Sequence, residues 1–262
     1  MYKMADFKDS TLLKEELQNF RPLPELAIKK LREYDRFEEI YNSNAIEGNT
    51  MTKLETKLIL EEGLTISGKS MKEHLEVVNL SVAVDFIEEV VLNNVLLTEQ
   101  LIQQIHQIVL QGVDGGKGEA GKYRTYGVYI SGSEHFPPNA LKVKEAMEKL
   151  IVWSETDKDK LHPIAYAALL HQKFVNIHPF GDGNGRTARL LMNFALTSAG
   201  YPPVHIKATE KSRSSYYEAL KVAHISRNTH MFILLVKNLV DDKIRWMIDN
   251  LTQTRKQKPE VI

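Results

Sequence analysis

Between Glu25 and Glu47 the apolar residues Leu26, Leu31, Tyr34, Phe37, Ile40 and Tyr41 fall near one stripe of a 3.6-residue helix, and Gly48 stands where a left-handed C-cap would stop it. The same punctuation recurs along the chain. Thr52 with Glu55, and Ser70 with Glu73, have capping-box spacing; the first pair opens a helix running to Gly63 and the second precedes "HLEVVNLSVAVDFIEEVV". Thr98 caps "EQLIQQIHQIVLQG", after which the glycine cluster "GVDGGKGEAG" breaks the pattern. Helices resume at about 141–153, at 163–175 with proline in the first turn, at about 184–199 and at about 214–225. The last runs through "THMFILLVKNLVDDKIRWMIDNL" into a polar tail. Only Lys122 to Pro138, "KYRTYGVYISGSEHFPP", has β character, with Ser131, Gly132 and Ser133 as turn material, and it predicts one hairpin. The expected fold class is all-α, mainly helical, with one small β-hairpin and no internal repeat.

Composition narrows the partners. With 34 basic and 34 acidic residues the chain has no net charge, so no global field draws nucleic acid or anionic lipid, and any bound anion must be held locally. The absence of cysteine rules out disulfides and thiolate metal sites. "MYKMADFKDS" has no apolar core of a signal peptide, and no stretch approaches the ~20 apolar residues of a membrane span. A cytoplasmic protein is expected.

The densest chemistry lies in "HPFGDGNGRTAR", His178 to Arg189. Proline and three glycines force a loop, and the next helix begins at about Asn184. The first N–H groups of that helix lack intrahelical partners, and Gly183 and Gly185 put no side chain between them and a ligand, which makes an anion cradle. Arg186 and Arg189, three residues apart, share a helix face and can each fork onto phosphate oxygens. Asp182 at the cradle's edge would repel phosphate unless Mg²⁺ lay between them. His178 is placed to take a proton from an attacking hydroxyl. Each residue alone has an ordinary structural explanation: a satisfied histidine before proline, a solvated arginine face, an Asx turn. Nine chemically demanding positions at fixed spacing do not.

The segment resembles the Fic (Fido) signature HPF-x-[D/E]-GNGR-x-x-R at every position. "GKYRTYGVYISGSEHFPP" is similar to that family's flap hairpin, with Ile130, Ser131, Gly132 and Ser133 as flap residues, and "SRSSYYEAL" to its adenine-side helix. "SNAIEGN", Ser43 to Asn49, resembles the inhibitory motif [S/T]-x-x-x-E-[G/N], here N-terminal to the core. The resemblance implies a Fic-type helical core with a hairpin flap over 96–240, an N-terminal helical segment with the inhibitory motif over 1–95, and a helix end with polar tail over 241–262. It implies protein adenylyltransferase activity, with AMP moved from ATP to a Ser, Thr or Tyr hydroxyl of a protein target or of the chain itself and pyrophosphate released. His178 would then be the general base and Asp182 the Mg²⁺ ligand. Gly183, Asn184 and Gly185 would form the cradle, Arg186 would meet the β-phosphate and Arg189 the γ-phosphate. Tyr216 and Tyr217 would lie beside the adenine. Glu47 would pair with Arg189 and inhibit, with Ser43 one turn earlier in the same network. His224 departs from the asparagine of many relatives.

The resemblance equally admits removal of AMP, with Glu47 orienting water, and leaves the oligomeric state open, a homodimer included. A Doc-like kinase has a lysine where Gly185 stands, which disfavours it. A nucleotide-responsive interaction protein without catalysis has no use for His178 and Asp182. Neither terminal segment resembles a winged-helix or TPR-like module, so none is expected. His162, His171 and His178 are too widely spaced for a compact metal pair, and "GVDGGKGE" lacks Walker spacing.

Overall fold

The computed structural model describes residues 4–113, 117–130 and 136–256. Among them run α1 (Lys8–Gln18), α2 (Glu25–Ile46), α3 (Lys53–Glu62), α4 (Met71–Leu92), α5 (Glu99–Leu110), α6 (Val143–Asp157), α7 (Pro163–Ile177), α8 (Asn184–Ser198), α9 (Glu210–Ser226) and α10 (His230–Lys256). The expected helical class holds, and the punctuation explains it. Thr52–Glu55 and Ser70–Glu73 form complete capping boxes, Thr98 accepts from Leu101 N–H, and Gly63 ends α3 in the left-handed region. No helix among the described residues is long and apolar enough to cross a membrane.

Three features differ from expectation. Helix α1 gives little sequence signal, because its apolar positions are few and its period is short. It is held by tertiary contact instead: it packs on α10, Lys14 Nζ donates to Ala199 O at 2.7 Å, and Phe7 just before it stacks on His162 at 4.3 Å. Helix α9 begins earlier than 214, where Thr209 accepts from Ser212 N–H. The expected hairpin is the third. Residues 122–130 and 136–138 form no strand, and Ser131, Gly132 and Ser133 lie outside the described residues. What fixes this segment is a buried arginine rather than a ladder of backbone bonds, as described below.

Helices α7 and α8 pack along their lengths at the centre, with α10 against α7 and with α4 against both α2 and α8. Ala165, Leu170, Phe174, Leu191 and Met192 are fully buried in this layer. Besides its apolar stripe, α2 carries a polar one, Asp35, Glu39, Ser43 and Glu47, repeating every fourth residue and therefore on one face. At the Asp35 end, His205 bridges two acids, Nε2 to Asp35 Oδ1 at 3.2 Å and Nδ1 to Glu39 Oε2 at 3.0 Å, and Lys243 also pairs with Asp35. Burial opposes charge on His205, but the hydrogen bonds and charges of Asp35 and Glu39 outweigh it and push its pKa up to about 9. An unfolded histidine titrates near 6.5, so this clamp stabilises fully below that pH and its contribution is lost as pH rises through about 9. The urea midpoint should therefore fall between pH 7 and 10 by more in the wild type than in His205→Asn; equal falls would show that the clamp adds nothing.

Candidate active site

Helix α7 ends at His178, whose backbone lies in the left-handed region at φ 49°, ψ 59° and whose N–H bonds to Phe174 O at 3.0 Å. The loop that follows is closed from within. Phe180 is fully buried, as its place in the motif suggested, and lies parallel on the His106 ring at 3.6 Å. Asn184 accepts from Phe180 N–H at 3.0 Å and donates to Phe180 O at 2.9 Å, so its side chain is spent on the loop and only its backbone faces the cradle. Asn184→Ala would leave both buried Phe180 groups unpaired. It should cost about 3 kcal/mol by chemical unfolding, with His178 and both arginines untouched in sequence.

Two residues outside the motif hold the loop in place. His106 Nδ1 accepts from Gly121 N–H at 2.9 Å, so the ring proton sits on Nε2, which donates to Asp182 O at 2.9 Å. Burial pushes the His106 pKa down to about 4 and keeps the ring neutral. Gly183 passes beside it at φ 75°, where a Cβ would meet His106 Nε2 at 3.2 Å, so glycine is required for both the turn and the approach. Arg124, 4% exposed, donates to His178 O at 2.8 Å, Tyr126 O at 2.9 Å and Pro138 O at 2.6 Å, while its N–H bonds to Pro179 O at 2.9 Å. This arginine ties the segment expected as a flap to the loop. Neither residue stands out in sequence: His106 is a lone histidine on an apolar helix, and Arg124 reads as one cation among tyrosines.

Helix α8 starts at the loop with no side-chain cap from Gly183. Arg186 and Arg189 are each 2% exposed. Arg186 lies 3.2 Å from Glu76 Oε1 and 3.5 Å from Asp182 Oδ1, and its Nε has no hydrogen-bond partner. Arg189 donates Nε to Ser43 Oγ, Nη2 to Ser43 O and Nη2 to Glu47 Oε1, all at 2.8 Å, leaving Nη1 unpartnered. Burial disfavours the Arg189 charge, yet the adjacent Glu47 carboxylate holds its pKa above the ordinary value. The polar stripe of α2 thus lies antiparallel along α8, with Glu39 on Asn193 at 3.0 Å, Ser43 on Arg189 and Glu47 at the helix start. A Cβ on Gly185 would come within 2.1 Å of Glu47 Oε1 and 3.2 Å of Arg189 Nη1. The carboxylate therefore occupies the bare space over the first turn of α8, where an incoming anion would sit.

The remaining predicted residues surround this point. Asp182 has a side chain 57% exposed, with Lys72 Nζ at 4.0 Å from Oδ2, and its Oδ1 accepts from Gly183 N–H at 2.6 Å. No group of three His, Cys, Asp or Glu suited to a metal occurs among the described residues. Tyr216 is buried and its hydroxyl meets His171 Nε2 at 3.0 Å; Tyr217 is 42% exposed, and its hydroxyl donates to Ile46 O at 3.4 Å, next to Glu47 in the chain. Ile130 is the described flap residue. His224 lies half-buried on α9.

Fold and site define an α-helical protein in which the Glu47 carboxylate of its own chain lies over the bare first turn of a central helix and bonds Arg189. The chain belongs to the Fic/DOC family, whose model matches residues 96–196. It is 41% identical over 199 residues to the protein adenylyltransferase Fic of Drosophila melanogaster, covering 76% of this chain and 39% of that protein, and equally to its Drosophila mojavensis counterpart. The chain thus spans about two fifths of the length of these curated relatives. Among solved structures it is similar to Fic-1, residues 134–508, of C. elegans, with 31% identity, TM-score 0.84, and coverage of 95% of this chain and 74% of that one. It also resembles a Fic-domain-containing signalling protein of Bacteroides thetaiotaomicron, at 26% identity and TM-score 0.84, covering 94% and 98%.

Proposed function

We propose that this chain is a protein adenylyltransferase that transfers AMP from ATP to a Ser, Thr or Tyr hydroxyl of a protein, or of itself, and that Glu47 restrains it. The observation that carries the reading is the Glu47 carboxylate over Gly185, bonded to Arg189 at 2.8 Å: an internal anion in a place built for an external one. Curated relatives named protein adenylyltransferase support the reaction class. In this account Gly183, Asn184 and Gly185 form the anion cradle, the Gly183 N–H becoming available once Asp182 Oδ1 turns from it, and Arg186 takes the β-phosphate and Arg189 the γ-phosphate. His178 removes the proton of the attacking hydroxyl as the bond to the α-phosphorus forms and pyrophosphate departs. Tyr217 walls the adenine side with Tyr216 behind it, and the segment through Ile130, Ser131, Gly132 and Ser133 lies against the target chain.

Mg²⁺ fits this site. Asp182 offers an exposed carboxylate beside the cradle, and the ion takes one or two carboxylates, waters and phosphate oxygens without a larger protein cage. Bound there it would neutralise charge on the phosphates. Removal of AMP by the same groups is the second reading, favoured by the Glu47 side chain being 33% exposed and so within reach of water. ATP labelled at either the α- or the γ-phosphate separates the reactions. Label should pass to protein from the α position only; transfer of the γ label would mean phosphorylation, and loss of pre-attached AMP would favour the reverse activity.

A further inference from the structure

A cavity of about 760 Å³ opens on the opposite end of the α2–α8 contact from the anion cradle. Most of its wall surface is apolar, with Leu23 and Leu31 on one side, Val84 and Ile87 of α4 on another and Leu190 of α8 below, and charged residues such as Arg32, Arg36 and Glu88 border it. Glu39 also lines it, two helical turns, or about 12 Å, before Glu47. The Glu39 carboxylate is 5% exposed, and only half of it is used: Oε2 accepts from Asn193 and His205, whereas Oε1 has no hydrogen-bond partner. Of the cations on its wall, Arg32 pairs with Glu88 at 3.5 Å, Arg36 with Asp85 at 2.8 Å and His205 with Asp35 and Glu39, while Arg21 stands at the rim beside Pro22 and Leu23. A cavity of this size, mostly apolar and with one unsatisfied acceptor, has the composition of a ligand site rather than of a packing gap.

We propose that this cavity binds a small, mainly apolar molecule carrying one hydrogen-bond donor, an amine or an alcohol, which donates to Glu39 Oε1, and that its occupancy loosens α2 from α8. Position supplies the coupling. The cavity lies between the helices that form the latch: α2 contributes Glu39 to it and Glu47 to the cradle, and α8 contributes Leu190 next to Arg189. Glu39 Oε1 is shielded from water, so a donor reaches it only when the carboxylate turns into the cavity, which draws Oε2 from Asn193 and shifts the stripe that ends in Glu47. The proposal concerns the docking of α2 and stands whatever reaction the cradle serves.

Calorimetric titration of the full chain with n-octylamine, n-octanol and octanoate tests the site, and hydrogen exchange of residues 40–48 tests the coupling. Octylamine and octanol should bind, octanoate should bind about tenfold more weakly or not at all for want of a donor, and Val84→Trp should weaken binding severalfold by narrowing the space. Leu31→Trp narrows it from α2 and serves the same purpose should Val84→Trp fail to fold. Glu39→Gln should weaken octylamine more than octanol. Exchange over 40–48 should quicken severalfold with octylamine and less in the narrowed variant. Absence of binding, or binding indifferent to both narrowing variants, overturns the site. Preference for octanoate overturns the role of Glu39, and binding with unchanged exchange overturns the coupling.

Discussion

His178→Asn is expected to lower AMP transfer by a factor of ~10²–10⁴, the range for losing a general base, while leaving the fold intact. The choice of asparagine follows from the backbone. His178 sits at φ 49°, a conformation that asparagine tolerates better than alanine, so an alanine variant would combine lost chemistry with about 1 kcal/mol of strain. Its carbonyl is held by Arg124 Nε at 2.8 Å and its N–H by Phe174 O, so the loop keeps its path without the imidazole. Unchanged thermal unfolding beside lost transfer is the expected pair of results; transfer at the wild-type rate would remove His178 from the mechanism.

The second large effect has the opposite sign. Glu47→Gly should tighten ATP binding and raise transfer by about 10–100-fold at limiting ATP, the equivalent of one partly buried charge-assisted hydrogen bond no longer competing for Arg189. Arg189 does not collapse when Glu47 goes, because Ser43 still receives its Nε through Oγ and its Nη2 through the backbone carbonyl. Glu47→Gln keeps the shape and loses the charge, and should fall between wild type and glycine. Gly185→Ala offers an internal check: its methyl group would fill the place of the Glu47 carboxylate, so it should block the cradle, and adding Glu47→Gly should not restore transfer.

Much of the fold was legible because the helices announce their ends. Thr52, Ser70, Thr98 and Gly63 do in the structure what their spacing implies, and the loop from His178 to Gly183 is placed by proline and glycine alone. What sequence could not show was long-range support. Helix α1 depends on α10 and on Ala199 O, far along the chain, and Arg124 replaces the expected hairpin ladder by bonds to the His178 carbonyl of the motif loop and to the Pro138 carbonyl at the end of its own segment. The motif signalled the cradle, but Asn184 as a loop clasp, His106 beneath Asp182 and the antiparallel polar stripe Asp35–Glu39–Ser43–Glu47 emerge only when α2, α5 and α8 are brought together. Local signals mark the residues that gather at the start of α8; the residues that hold them are chosen by packing.

The proposed competition of Glu47 and ATP for one place can be read from label on protein after wild type, Glu47→Gly and Glu47→Gly/His178→Asn are incubated with Mg²⁺ and ATP labelled at the α-phosphate. Labelling should be weak in the wild type, greater by about 10–100-fold in Glu47→Gly, and at background in the double variant. Equal labelling of wild type and Glu47→Gly would contradict the competition.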